Sequence, residues 1–244
     1  MTEPLVRSVT SQLIERVRVR ILAGAYAPGA ALRQDALAAE FGTSKIPVRE
    51  ALVRLQSEGL VNIFPNRGFQ VRPLAASELD EIFNLRLLME PAAAASGAKL
   101  ATPADQKAAA EALRRLNTAM QAAAHESTGQ LNRDFHLQLL VPRLQPIAAE
   151  ILGRLHTLAQ RYVQIHLQPA GRTQRALREH GALLELWCAR RTAGLRELLY
   201  AHIETTRDDL ARAVGGPQVQ RRTAAGKPSA PGRPHRSAPV RGRA

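Results

Sequence analysis

Of the 244 residues, only Cys188 is a cysteine. It has no partner for an intrachain disulfide, and no set of thiolates exists for a Cys-rich zinc module. A reducing cytoplasm fits that usage. The chain also lacks an apolar run approaching the ~18 residues of a membrane span. Its first residues, MTEPLVRSVTSQLIERVRVRIL, have no continuous apolar core and no small-residue cleavage site, so they do not read as a signal peptide. Secreted, disulfide-stapled and membrane-spanning classes are therefore not expected. No repeat of 20–50 residues is visible. There is no HExxH, no nucleophile motif and no pair of carboxylates facing a histidine cluster.

Positive charge is plentiful: 34 Lys and Arg against 21 Asp and Glu, a formal net charge of +13. Such an excess suggests a polyanionic partner. Its location matters more than its sum. Residues 1–72 carry +4, residues 73–214 carry +2, and residues 215–244 carry +7. The last segment has five Pro, five Gly and no aromatic residue. It is expected to be a disordered basic tail, either solubilising or a sequence-blind phosphate-binding arm.

In residues 1–72, Val9, Leu13, Val17 and Ile21 recur at helical spacing, which predicts a helix over 8–23. A short second helix is expected over 33–41, ended by Gly42. Ser44 is a suitable N-cap for a third helix, from about Lys45 to Glu58, with Pro47 in the first turn, where no intrahelical N–H is lost. Lys45 and Arg49 lie four apart and project from one face. Two short apolar stretches, LVNIF and FQV, then flank Pro65, Asn66, Arg67 and Gly68, the signature of a hairpin with a basic tip.

Three helices and a basic hairpin describe a winged helix-turn-helix. In that architecture the third helix enters the major groove and the wing touches the backbone or minor groove. Arg49 can address a guanine edge, Lys45 a base or a phosphate, and Ser44 and Arg33 phosphates. A winged helix that contacts protein instead is the alternative.

Residues 73–214 read as six helices in an antiparallel bundle: from Ser77, from Thr102-Pro103 to about Ala124, and over 129–140, 146–167, 173–190 and 193–214. Six of the seven histidines lie here. Asn132 and His136 share a helix face, and His180 and His202 sit on two later helices. Three imidazoles and an oxygen facing one core can hold a divalent metal, zinc first, with nickel or manganese as alternatives. They can equally be hydrogen-bonded core residues. Arg86 and Glu90, four apart, form either a surface pair or a buried guanidinium free to grip a carboxylate.

The run PGAALRQDALAAEFGTSKIPVREALVRLQSEGLVNIFPNRGFQV resembles the DNA-binding domain of the GntR family of bacterial transcriptional regulators. The resemblance rests on Pro28-Gly29, Pro47-Val48-Arg49-Glu50-Ala51-Leu52, Glu58-Gly59-Leu60-Val61 and Arg67-Gly68. Lys45 stands where arginine is usual, which keeps the charge but loses the planar fork. LRLLMEPAAAASGA, NRDFH, the helix opening at His180 and His202-Ile203 are similar to the FCD ligand-sensing domain of the FadR subfamily.

That resemblance implies a mostly α fold: a winged helix-turn-helix followed by an all-α sensing bundle. It implies metal ligation by Asn132, His136, His180 and His202, and a small organic acid effector held by the metal and Arg86. Arg133, and behind it Arg161 and Tyr162, are further effector candidates. Asn132 stands where many members have Asp, and its neutral oxygen is a weaker ligand. The expected partners are double-stranded operator DNA, the effector and a second copy of the chain, with no membrane. The expected location is the bacterial cytoplasm, at the nucleoid. A metal-dependent enzyme built on the histidines, and a non-specific nucleic-acid binder driven by the tail, are the rival functions.

Overall fold

The computed structural model describes residues 8–65, 67–122, 125–140, 145–166 and 172–214; the side chains of 125–127 and 164–166 are outside this description. Asn66 and the basic tail lie outside it as well. The fold is mostly α, with two hydrophobic cores. One draws on residues from Leu13 to Val71, the other on residues from Leu74 to Val214.

The first core is built by α1 (Val9–Leu22), α2 (Gln34–Phe41), α3 (Lys45–Ser57) and a three-stranded sheet. Leu13, Val17 and Ile21 of α1 are buried together with Val48, Leu52 and Leu55 of α3. These positions recur every three or four residues, so each helix buries one stripe. Gly42 ends α2 in the left-handed region, φ 63°, a conformation that favours glycine. The hairpin is present as β2 (Val61–Phe64) and β3 (Gly68–Val71), with Phe64 opposite Gly68. A strand that the sequence reading missed, β1 (Ala31–Leu32), pairs antiparallel with β3 and gives the order β1-β3-β2. Two residues are too few to show an alternating pattern.

The second core is an all-α bundle of α4 (Ala76–Leu100), α5 (Pro103–Gln121), α6 (His125–Leu140), α7 (Pro146–His166), α8 (Arg172–Cys188) and α9 (Thr192–Val214). Central α4 buries Leu79, Phe83, Ala94 and Ala98 among its neighbours. Gly97 lets α6 approach closely: a Cβ there would lie 2.5 Å from the Leu139 carbonyl oxygen. That oxygen accepts a hydrogen bond from the buried indole of Trp187 at 3.0 Å, joining α8 to the end of α6. Thr102 and Asp105 form a reciprocal capping box at the start of α5.

The start of α4 departs from expectation. Ser77 is not its cap; the helix begins at Ala76 with Ala75 as an N-cap that lacks a side-chain hydrogen bond. Tertiary structure supplies the polar partner instead. The Tyr162 hydroxyl of α7 accepts from the Ala75 N–H at 3.3 Å and donates to Glu78 at 2.7 Å. Beside it, buried Arg161 donates to the carbonyls of Arg72 and Pro73. Thus α7 grips the segment that joins the two cores. None of the described helices is long and apolar enough to cross a membrane.

Candidate nucleic-acid interface and metal centre

The third helix presents its N-terminal turn to solvent. Ser44, Lys45, Ile46 and Arg49 are exposed, while Val48 and Leu52 anchor the opposite face. Ser44 occupies the N-cap position with extended backbone, but its side chain makes no capping hydrogen bond. Its hydroxyl and the free N–H groups of that first turn therefore stay available to an anion. Pro47 falls in that turn, as expected, and is half-buried.

Lys45 is paired with Asp35 of α2, a contact between two exposed groups that DNA can displace at little cost. Arg33, at the N-cap of α2, and Arg49 and Arg67 are exposed and make no ion pair with a described residue. Gly68 opens β3 with φ 80°, which turns the wing tip. Ile46, 73% exposed, was not singled out from sequence. A large apolar side chain so exposed at the start of a recognition helix can meet a thymine methyl.

Inside the bundle, three of the expected histidines converge. His136 of α6, His180 of α8 and His202 of α9 are buried, and one ligand atom from each lies within 4.8 Å of the others. Their ring centroids are 5.0–5.3 Å apart. Each comes from a different helix, so only the folded bundle assembles them. Asn132 lines the same cavity, together with Arg86 and Arg175. The cavity is small, about 30 Å³, enough for an ion and a water or two.

The electrostatics keep the His136 and His180 imidazoles neutral. Burial, then the neighbouring His202 and His180 rings, pushes His136 well below the ordinary histidine range. Burial, then His202, does the same to His180. Neutral imidazole is the form that ligates metal. Both ring nitrogens of His180 are buried without a hydrogen-bond partner. An unpaired buried polar atom costs about 1–3 kcal/mol, and an ion at this point would satisfy one. Nitrogen and oxygen donors without a thiolate suit zinc, nickel or manganese. The donor set thus fits a divalent metal.

Several residues of the site escaped the sequence reading. The Glu179 carboxylate lies 2.7 Å from His202 Nδ1. Burial pulls its carboxyl upward, but the His202 hydrogen bond and Arg175 carry it below the usual range. Accepting from Nδ1–H, it leaves Nε2 of His202 as the lone-pair donor. The signal was an acidic residue directly before His180. His156 is the other, and Glu90, expected only as a partner of Arg86, joins it. Arg86 is buried, as the sharper of two readings required, yet it is also paired: Nε lies 2.5 Å from Glu90 Oε1. Of the two readings the surface pair is the one corrected, because α4 turns both groups into the core. His156 Nε2 lies 3.0 Å from the same oxygen, off the line of a good hydrogen bond. Although burial alone would raise it, Arg86 and then His156 bring the Glu90 carboxyl down to about 2. The guanidinium also lies over the Phe83 ring at 4.8 Å.

Arg133 is placed elsewhere. It lines a separate cleft between α1, α3, α6 and α7 rather than the histidine cavity. Arg161 and Tyr162 hold the segment between the cores, and Asp134 pairs with Arg133.

Residues 81–205 match the FCD domain, and residues 9–71 match the bacterial regulatory proteins of the gntR family. The chain belongs to the GntR family of transcriptional regulators. It is 33% identical to the HTH-type transcriptional regulator McbR of Escherichia coli strain K12 over 148 residues, 61% of this chain and 67% of that protein. The solved structure of E. coli McbR/YncC superposes with a TM-score of 0.74 at 27% identity, covering 85% of this chain and 99% of that one. A GntR-family structure from Rhodococcus sp. RHA1 shares the fold, with a TM-score of 0.72 at 24% identity over 84% of this chain and 98% of that one. The regulator therefore joins a DNA-binding head to an effector-binding FCD domain, and its relatives are transcriptional regulators rather than enzymes.

Proposed function

We propose that the regulator binds a palindromic operator as a homodimer and senses a small carboxylate at a divalent metal held by Asn132, His136, His180 and His202. The observation that carries this reading is the buried three-histidine cavity, with an unpartnered His180 at its wall and two guanidiniums beside it. A bound metal would supply Lewis-acid attraction for a carboxylate. Arg86 offers a second contact; Glu90 already neutralises it, so an anion gains a charge-assisted hydrogen bond only by sharing the guanidinium. The cavity is narrow, about 30 Å³. Entry of an acid shifts the lining side chains of α8 and α9, and this motion is the signal.

On the head, Arg49 reads a base edge, Lys45 reads a base or a phosphate, and Ser44 and Arg33 hold phosphates. Arg67 tracks the backbone or minor groove from the wing, with Asn66 and Gly68 beside it. Two such heads joined through their bundles gain affinity for a palindrome by effective concentration. Exposed Leu85 and Leu88 on α4 support self-association. The acid then favours one relative placement of the heads, by no more than its differential affinity for the two states.

A single experiment tests the whole reading: fluorescence anisotropy of the full chain on its own upstream DNA, with a panel of small organic acids, with and without chelator. The expected result is a 5–150-fold change in operator Kd with one class of acid, the usual range of such coupling, abolished by the chelator. A shift that persists after chelation and in His180→Ala rejects the metal-held site. In the same assay Arg49→Ala should lose about 1–3 kcal/mol of affinity and relax preference at one base position. A loss equal on all sequences makes Arg49 a phosphate contact instead.

A further inference from the structure

A second cavity lies away from the histidine site. It is a cleft of about 500 Å³ where α1 and α3 of the head face α6 and α7 of the bundle. That volume is in the range of small-molecule sites. Most of the lining residues are polar, with Val19 and Leu22 of α1 as the apolar side chains. Arg18 of α1 donates two hydrogen bonds to Glu58, at 2.9 and 2.8 Å, and fixes the head-side wall. Arg54, Arg133 and Arg154 come from three different helices; Glu15, Glu58 and Glu150 also line the cleft, and Arg54 lies 3.6 Å from Glu58. Arg154 makes no ion pair with a described residue, and Arg133 has only a long 3.4 Å contact to Asp134.

Two lining residues carry unmet hydrogen-bonding capacity. Arg133 Nε is buried without a partner. Gln160, 5% exposed, has a side-chain carbonyl in the same condition. An unpaired donor and an unpaired acceptor on one cleft, with the guanidiniums of Arg133 and Arg154 left over from the Glu58 pairs, match a ligand that has an anionic group and several hydroxyls. The lining holds no aromatic ring, and its apolar side chains are confined to Val19 and Leu22 on the α1 wall, so a polar ligand with one apolar face, such as a sugar ring, fits better than an aromatic acid. The location adds a consequence. Gly153, Arg154, Thr157 and Gln160 form one face of α7. The same helix presents His156 to Glu90 and Arg161 to the segment joining the cores.

We propose that this cleft is a second ligand site of the regulator, taking a small anionic sugar, a sugar phosphate or sugar acid, between head and bundle. It is separate from the histidine cavity, and the proposal does not depend on a metal there. The test is isothermal titration of the full chain with glucose 6-phosphate and with glucuronate, which present a phosphate and a carboxylate on a similar ring. One of the two should bind at one molecule per chain. Arg154→Ala, an exposed position whose loss spares the fold, should weaken that binding at least tenfold. Arg154→Glu should abolish it, and Arg133→Gln should weaken it. Chelator and His180→Ala should leave it unchanged. Absence of binding by both sugars overturns the proposal and makes the cleft a water-filled seam. Binding that survives Arg154→Glu, or that disappears with chelator, overturns it as well.

Discussion

Removal of the Glu179 carboxylate isolates the part of the proposed metal site that no ligand list predicts. The carboxylate holds His202 through a 2.7 Å contact to Nδ1, and Arg175 lies near it, Nε to Oε1 at 3.5 Å. Glu179→Ala leaves all four proposed ligands in place. It frees the His202 ring to rotate and to take the wrong tautomer. Partners of this kind are worth about 10–100-fold in metal affinity, which is ~1.4–2.7 kcal/mol. The ion would otherwise stabilise the bundle by about 2.7 kcal/mol when present at a hundred times its Kd. The variant should therefore lose about half or more of the rise in Tm that zinc gives the parent. The direct assay is competition of the chain for zinc against a chromophoric chelator at neutral pH. Metal-free melting of both proteins, run in parallel, separates loss of affinity from loss of fold. Equal zinc affinity in Glu179→Ala and the parent, with His180→Ala abolishing binding, would refute the orienting role. Equal affinity in all three would refute the site.

Three further outcomes follow from the bundle. Gly97→Ala drives a methyl group to within 2.5 Å of a backbone oxygen that already serves Trp187; it should cost about 1–3 kcal/mol in urea denaturation, despite alanine's better helix propensity. Arg86→Ala strands the fully buried Glu90 and should destabilise the chain by about 3–5 kcal/mol, whereas Arg86→Ala with Glu90→Ala should recover part of that; equal damage by both would show that the charge pair is not the cause. The third concerns acid. His136 and His180 have folded-state pKa values below their unfolded ones, so the unfolded chain binds more protons as pH falls below about 6.5. Stability of the chelated protein should fall across that range, then fall again below about pH 4.5, where Glu90 must protonate on unfolding but stays charged in the fold down to about 2. Urea midpoints that stay flat from pH 7 to 5 would contradict the neutral, buried histidines.

The head was the more legible half. Its helices bury one stripe each, its stops are glycines, and the residues proposed to read DNA lie close together in sequence, at Ser44, Lys45 and Arg49. Local sequence carries such features because neighbouring residues on one helix share a face. The hairpin was visible for the same reason, and β1 was not, since its pairing with β3 is its only signature.

In the bundle, sequence set the helices and named His136, His180 and His202 through motifs. It could not tell a buried Arg86–Glu90 pair from a surface one, because spacing of four is the same in both. Burial is a property of the neighbours: Phe83 beneath the guanidinium and His156 from α7. Glu179 took its role from His202, which lies 23 residues away in the chain. Arg133 is the sharpest case. One residue from a proposed ligand, it reads as an effector contact, yet successive residues on a helix point about 100° apart, and its side chain enters the cleft under the head. Motif resemblance pointed to the family, and periodicity marked the helices and placed on them the residue types able to bind DNA and metal. Which charges meet, which are buried, and which of two cavities a side chain serves were decided by the packing of helices distant in sequence, since only that packing sets the distances and the exclusion of water on which those interactions depend.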